Sequence, residues 1–198
     1  MPKWYNKQSA GHTALVHLQP THKRYREVET LFNHTSASKA TIVKIERIQN
    51  KHLYKLFADK HETLSQAERR SLKLMHLFHG TRKYPPSAVY DSLTGLDPRI
   101  GHGVWGQGTY YASNSYYSVD RYGHGLPDGT QQIFCMLVLV GDSANMPPTQ
   151  QTKTLVRPPL KQGTTSLFHS VNGQEGGSDI YVTYEANMSY PYYLITFR

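Results

Sequence analysis

Apolar positions recur along this chain with two different periods. Tyr25, Val28 and Phe32 fall three and four apart with Lys23, Arg26 and Glu27 left on the outer face, which predicts a helix from a Thr21 cap to about Phe32. After a polar loop over 34–39, Thr41–Ile48 alternates, Val43 and Ile45 against Lys44 and Glu46, and reads as a strand. Leu53, Leu56 and Phe57 return to helical spacing over Lys51–Ala58, and Ser65–Lys73 reads as a second, more polar helical stretch. Short strands then dominate: Leu74–His79, Tyr110–Ala112, Ile133–Val140, Ile180–Glu185 and Tyr192–Phe197. Of these, Ile133–Val140 is apolar without alternation, as expected of a central strand covered on both faces. Pro86 stands near the start of a short helix over Ser87–Leu93, Thr94–Gly108 is a glycine-rich loop, and Asn114–Arg121 is a second short helix. Residues 1–13 are polar and patternless and predict a flexible extension. Residues 14–198 then form one domain of the α+β class, helices first and a strand-rich body after them.

A chain of 198 residues suits one sizeable domain. No apolar run approaches the roughly 20 residues of a membrane span, and Met1-Pro2-Lys3-Trp4-Tyr5 lacks the apolar core of a secretory signal. The one cysteine, Cys135, allows no intrachain disulfide, so a reducing compartment, cytosol or nucleus, is expected. It reads as a buried small hydrophobe in its strand, not as a nucleophile. The formal charge of +8 permits a polyanionic partner. Its lysines and arginines are scattered, however, so nucleic acid is not favoured and the charge reads mainly as solvated surface. The 11 histidines show no zinc-like spacing, and no metal is expected.

Chemistry concentrates in one ordered set. His79-Gly80-Thr81 closes the apolar run Leu77-Phe78, and Gly106-Gln107-Gly108 leads through Thr109 into Tyr110, Tyr111 and Ala112, with Ser118 beyond. This set resembles the NAD-binding site of the poly(ADP-ribose) polymerase family of ADP-ribosyltransferases. The likeness extends to Ile45–Asn50 with Leu53-Tyr54, to Val156–Pro159, to Leu167–Val171 and to Tyr190–Ile195, so that it covers about 41–198. These segments look like the mono-ADP-ribosylating branch. The helical regulatory subdomain of the DNA-activated members is not visible. The resemblance implies an ADP-ribosyltransferase fold, short antiparallel-rich strands forming a split sheet around an NAD cleft, with flanking helices.

It also implies roles. The Gly80 backbone would pair with the nicotinamide carboxamide, glycine letting the ligand come close, and Ser118 would add a hydroxyl. Tyr110 and Tyr122 would stack on the nicotinamide ring, with Tyr117 as the competitor of Tyr122. His79 would hold the adenine-side ribose, with Thr81 beside it. The third signature position, a glutamate in polymerising members, falls on Ile180 when counted back from Tyr190-Pro191, and a rival register would put Glu185 there. An aliphatic side chain cannot accept a hydrogen bond from a ribose hydroxyl. The His79, Tyr110, Ile180 triad therefore implies transfer of single units, with an acceptor carboxylate able to supply the missing negative charge. Gln107 departs from the lysine frequent in the Gly-x-Gly turn. Arg82 and Arg99 are candidates for phosphate contact, or solvated loop charges. The resulting expectation is a compact, free-standing enzyme that uses NAD as co-substrate, needs no metal, and modifies acceptor proteins, itself among the candidates. A catalytically weak NAD- or ADP-ribose-binding module and transfer to RNA are the alternatives.

Overall fold

The structure is a computed structural model that describes residues 2–5, 13–34 and 40–198. In chain order the elements are β1 (Thr13–His17), α1 (Lys23–His34), β2 (Ile42–Asn50), α2 (Lys51–Ala67), β3 (Leu74–His79), α3 (Ser87–Tyr90), β4 (His102–Gly103) and β5 (Gly106–Gln107). They continue with β6 (Thr109–Ala112), α4 (Ser115–Tyr122), β7 (His124–Gly125), β8 (Gln131–Leu139), β9 (Ser143–Asn145), β10 (Ser170–Glu175), β11 (Ser178–Thr183) and β12 (Ser189–Phe197). Ten strands form one sheet in the order β1-β2-β12-β8-β3-β6-β11-β10-β9, with β7 against β8, while β4 and β5 pair separately. All these pairings are antiparallel except β9 with β10. This is the α+β architecture expected of the sequence, and β3 keeps its predicted bounds.

The apolar run of β8 is covered on both faces, which explains why it does not alternate. Ile133 and Cys135 pack with Tyr25, Val28 and Phe32 of α1 on one side, and Phe134, Met136 and Val138 pack with Leu77 and Val89 on the other. The sheet is nearly cut in two between β3 and β6, where Phe78↔Ala112 is the one ladder pair. Beyond that pair the strands diverge, and the divergence opens a cleft at the end of β3.

Local differences from the expectation have local causes. At the entry of α1, His22 and not Thr21 caps the helix, its Nδ1 accepting from the Arg24 N–H at 3.1 Å. α2 runs unbroken to Ala67, and no separate helix forms over 65–73. Glu68 and Arg69 instead close the end, donating to the Leu64 and Gln66 carbonyls, with Arg69 at φ 55°. The extension expected over 1–13 is corrected at both ends. Trp4 and Tyr5 are buried against Tyr54, Leu53 and Tyr190, and Thr13 begins β1. Aromatic area of that size is strongly favoured under cover. Residues 6–12, and 35–39 of the predicted loop, lie outside the described residues.

Asn50 ties these parts together. Its Oδ1 caps α2 by accepting from the Leu53 N–H at 3.0 Å, and its Nδ2 donates to Thr13 Oγ1 at 3.0 Å and to the Tyr90 carbonyl at 2.9 Å. Asn50→Ala removes the cap and both donors at a buried position, so a loss of about 2 kcal/mol is expected. It would show as a lower urea midpoint at unchanged slope.

Candidate functional site

The divergence of β3 and β6 produces a cleft of about 560 Å³, within the range of small-molecule sites. Its walls include His79, Gly80, Thr81, Tyr110, Tyr117, Ser118, Tyr122 and Ile180. The site residues predicted from sequence thus come from β3, β6, α4 and β11 to one cavity.

His79 ends β3 and spans the split. Its Nδ1 lies 2.7 Å from the Tyr110 carbonyl oxygen. A carbonyl only accepts, so Nδ1 carries the proton. Burial pushes the His79 pKa below the usual histidine range, against a weaker upward effect of that hydrogen bond. The ring is therefore neutral near pH 7, and Nε2 is an acceptor.

Gly80 follows the last β3–β8 ladder pair, His79↔Phe134. Among the described residues, no hydrogen bond outside the ladders uses its N–H or C=O. A carboxamide offers a matching donor and acceptor. The fold has its own reason for glycine at this position. A Cβ here would stand 2.2 Å from the Tyr122 carbonyl oxygen and 2.6 Å from its carbon. The missing side chain makes room for the end of α4. Thr81 turns inward on its own loop, Oγ1 donating to the Tyr84 carbonyl at 2.6 Å.

Tyr110 is clamped at its hydroxyl, which donates to the Gly106 carbonyl at 2.6 Å and accepts from the Trp105 N–H at 3.0 Å. Gly103 fits against the ring, where a Cβ would approach to 2.8 Å. Burial holds the phenol above its ordinary pKa. The Gly-x-Gly turn thus fixes the ring as a rigid, neutral wall. On α4, Ser118 is buried and Tyr122 is 38% exposed. Tyr117 and Tyr122 lie 5.7 Å apart and both reach the cleft. Tyr117 is the more enclosed, and its hydroxyl donates to Glu175 Oε2 at 3.1 Å.

Ile180 of β11 is 1% exposed and pairs with Ala112. Glu185 lies past the end of β11, turned to solvent in an ion pair with Lys60, and is not a wall of the cleft. Neither Arg82 nor Arg99 lines it. Arg99 is paired with Asp97 at 2.7 Å, and the Arg82 N–H donates to the Tyr122 carbonyl at 2.9 Å. Gln107 also points away, its Nε2 donating to the Arg99 carbonyl at 2.7 Å. Cys135 is fully buried, and burial pushes its thiol up to about 12, which leaves no thiolate at neutral pH.

Sequence reasoning missed Glu175 as a wall of this cleft. The signal was present in Glu175-Gly176-Gly177-Ser178. Two glycines at φ 56° and 81° make a tight hairpin turn, and the hairpin fixes which residues share a face. Away from the cleft, Glu68, Asp142 and His169 bring ligand atoms within 4.8 Å of one another. The Lys161 ammonium already occupies this group, 2.6 Å from Glu68 and 2.9 Å from Asp142. It is an ion-pair node.

Among the described residues no helix is long and apolar enough to cross a membrane. The family model for the poly(ADP-ribose) polymerase catalytic domain matches residues 22–198. The chain is similar to "Probable poly(ADP-ribose) polymerase" of Dictyostelium discoideum, 33% identical over 97% of this chain and 55% of that protein. It is similar to "Protein mono-ADP-ribosyltransferase PARP14" of Homo sapiens, 29% identical over 100% of this chain and 11% of that protein. Likewise it is similar to "Protein mono-ADP-ribosyltransferase PARP11" of Homo sapiens, 31% identical over 100% of this chain and 63% of that protein. It therefore spans less than two thirds of the length of each.

Proposed function

Because the chain belongs to the poly(ADP-ribose) polymerase catalytic domain family, we propose that its cleft binds NAD and transfers one ADP-ribose unit to a side chain of an acceptor protein, releasing nicotinamide. The observation that carries this reading is the convergence of His79, Gly80, Tyr110, Ser118, Tyr122 and Ile180 on one cavity. Two relatives named as protein mono-ADP-ribosyltransferases support the unit length and the protein acceptor. A reducing compartment, cytosol or nucleus, goes with this reading.

In the reaction the bond between the ribose C1′ and the nicotinamide nitrogen breaks. Its electron pair leaves with nicotinamide, and positive charge passes to the ribose. The acceptor oxygen or nitrogen then forms the new bond to C1′ and loses its proton. The Gly80 backbone and the Ser118 hydroxyl hold the carboxamide, Tyr110 and Tyr122 flank the ring, and the neutral His79 accepts from a hydroxyl of the adenine-side ribose through Nε2. These contacts fix the leaving group and the far end of the dinucleotide before the bond breaks, which lowers the barrier by orientation.

Ile180 bears on product length. It offers no group to orient a ribose hydroxyl as the next acceptor, so products should carry single units even in excess NAD. Incubation with labelled NAD followed by digestion to mononucleotides separates single from chain-internal units. Chain-internal nucleoside in quantity would put another carboxylate in that role. A folded chain that binds NAD and transfers no label would be a binding module.

A further inference from the structure

Permanently charged side chains are sparse in the cleft. Among the described residues no lysine or arginine lines it, and its two carboxylates are Asp97 and Glu175. They are not equivalent. Asp97 is neutralised by Arg99, whose guanidinium lies 2.7 Å away. Glu175 makes no ion pair among the described residues, and its one side-chain hydrogen bond is with the Tyr117 hydroxyl, at 3.1 Å. Arg121, beside the Gly176 turn, lies over the Tyr117 ring at 5.0 Å from its centroid and forms no ion pair with Glu175, so the carboxylate remains open to a cation that enters this mostly aromatic and aliphatic cavity.

The register shows where that cation would be. In the β10–β11 hairpin Glu175 pairs with Ser178 and Gly173 pairs with Ile180. Residues two apart on a strand share a face, so Glu175 and Ile180 lie on the same side of the sheet as diagonal neighbours, at a backbone separation of about 7–8 Å. Gly173 directly opposite Ile180 adds no side chain of its own. The turn at Gly176 packs against Tyr117, where a Cβ would stand 3.0 Å from the ring. The hairpin tip is thereby held against α4, which carries Ser118 and Tyr122.

We propose that Glu175 is the anionic group facing the cationic nicotinamide–ribose end of the dinucleotide, and that it stabilises the positive charge as this passes from the ring to the sugar. The proposal rests on the NAD-transfer reading above. Glu175 exchanges no proton and forms no bond. The C1′–nitrogen bond breaks with its electron pair going to nicotinamide, and the acceptor, water included, bonds to C1′ and releases one proton. The Tyr117 hydroxyl positions the carboxylate. No acceptor protein is then needed to supply the charge.

The test compares the whole chain with Glu175→Gln, which keeps an oxygen for Tyr117 and loses the charge, and with Tyr117→Phe, which loses the hydrogen bond and keeps the charge. Nicotinamide release is measured without added acceptor protein, and NAD binding is compared with NADH, whose ring is neutral. Glu175→Gln should lower release about 10²-fold, as removal of a preorganised charge-stabilising group does elsewhere. It should also remove the wild-type preference for NAD over NADH. Its thermal shift with benzamide, a neutral ring mimic, should be unchanged. Tyr117→Phe should lose less than about tenfold in release and keep the preference. A Glu175→Gln chain that folds, releases nicotinamide within twofold of wild type and keeps the NAD preference overturns the proposal. If wild type releases no nicotinamide and still prefers NAD over NADH in a Glu175-dependent way, the transfer reading fails and Glu175 stands as the group that recognises the cation. Equal binding of NAD and NADH by wild type with no release removes both.

Discussion

Replacing His79 by alanine is expected to lower NAD-dependent labelling by about 10²-fold or more in a chain that remains folded. The imidazole acts through both nitrogens. Nδ1 donates across the split to the Tyr110 carbonyl at 2.7 Å, which fixes the ring plane and leaves Nε2 as the acceptor of a residue that lines the cleft. Alanine removes that acceptor, so the adenine-side ribose loses its reference, while the Tyr110 ring stays clamped at its hydroxyl by Gly106 and Trp105. The stability lost is that of one hydrogen bond and a ring, about 1–2 kcal/mol, too little to unfold most domains. Thermal melting with and without benzamide would establish that the variant is folded and its ring pocket intact. Labelling at the wild-type rate by such a variant would remove His79 from the reaction. The lowered pKa adds a pH expectation. His79 is held neutral in the folded chain, so its contribution is complete above the ordinary histidine value of about 6.5. It is lost as pH falls below that value toward the depressed folded one, where the unfolded chain binds a proton that the folded chain resists.

The legible parts of this fold are those in which one physical requirement dominates a stretch of residues. β8 shows itself because from Ile133 to Leu139 both its faces are covered and each position is apolar, and α1 because Tyr25, Val28 and Phe32 return to one side at helical spacing. The cleft was legible by another route: the ordered set His79, the Gly-x-Gly turn, Tyr110 and Ser118 carries the resemblance to the poly(ADP-ribose) polymerase family, and the structure brings these residues to one cavity. What escaped depends on partners far away in sequence. Glu175 is a wall of the cleft because β10 pairs with β11 in a particular register, and Ser170–Glu175, with Gly173 in its middle and polar residues at four positions, carries weak strand signal of its own. Trp4 and Tyr5 look like part of a polar extension until Tyr54 and Tyr190 are brought to them. Arg82 and Arg99 read equally as phosphate contacts or as solvated loop charges by chemistry alone, and neither is a wall of the cleft. The expected break within α2 came from reading a polar helix face as an interruption. The helix continues through it with Leu64 packed against the core beside Leu53 and Phe57.

Gly80→Ala is expected to disable the site as thoroughly as the loss of His79, by a different route. The added methyl would stand 2.2 Å from the Tyr122 carbonyl oxygen and 2.6 Å from its carbon. These are backbone atoms, so no side-chain rotation relieves the contact. Trimming Tyr122 to alanine therefore should not rescue the variant. The end of α4 has to move, and the bond from the Arg82 N–H to the same carbonyl, 2.9 Å long, moves or breaks with it. Overpacking of this kind costs about 1–3 kcal/mol, so the chain should fold with a lower melting temperature. The functional cost is larger, because Ser118 and Tyr122 ride on the displaced helix while His79 and Tyr110 stay with the sheet. A displacement of about 1 Å between the two halves of a site can cost about 10²-fold in rate. Labelling should fall by that order, and the benzamide-induced rise in melting temperature should shrink or vanish, since the ring mimic depends on the same α4 residues. His79→Ala is expected to retain that rise, which separates the two variants in one experiment. A Gly80→Ala chain with wild-type melting, benzamide shift and labelling would mean that α4 yields without cost, and that the fit between Gly80 and the Tyr122 carbonyl does not position the site.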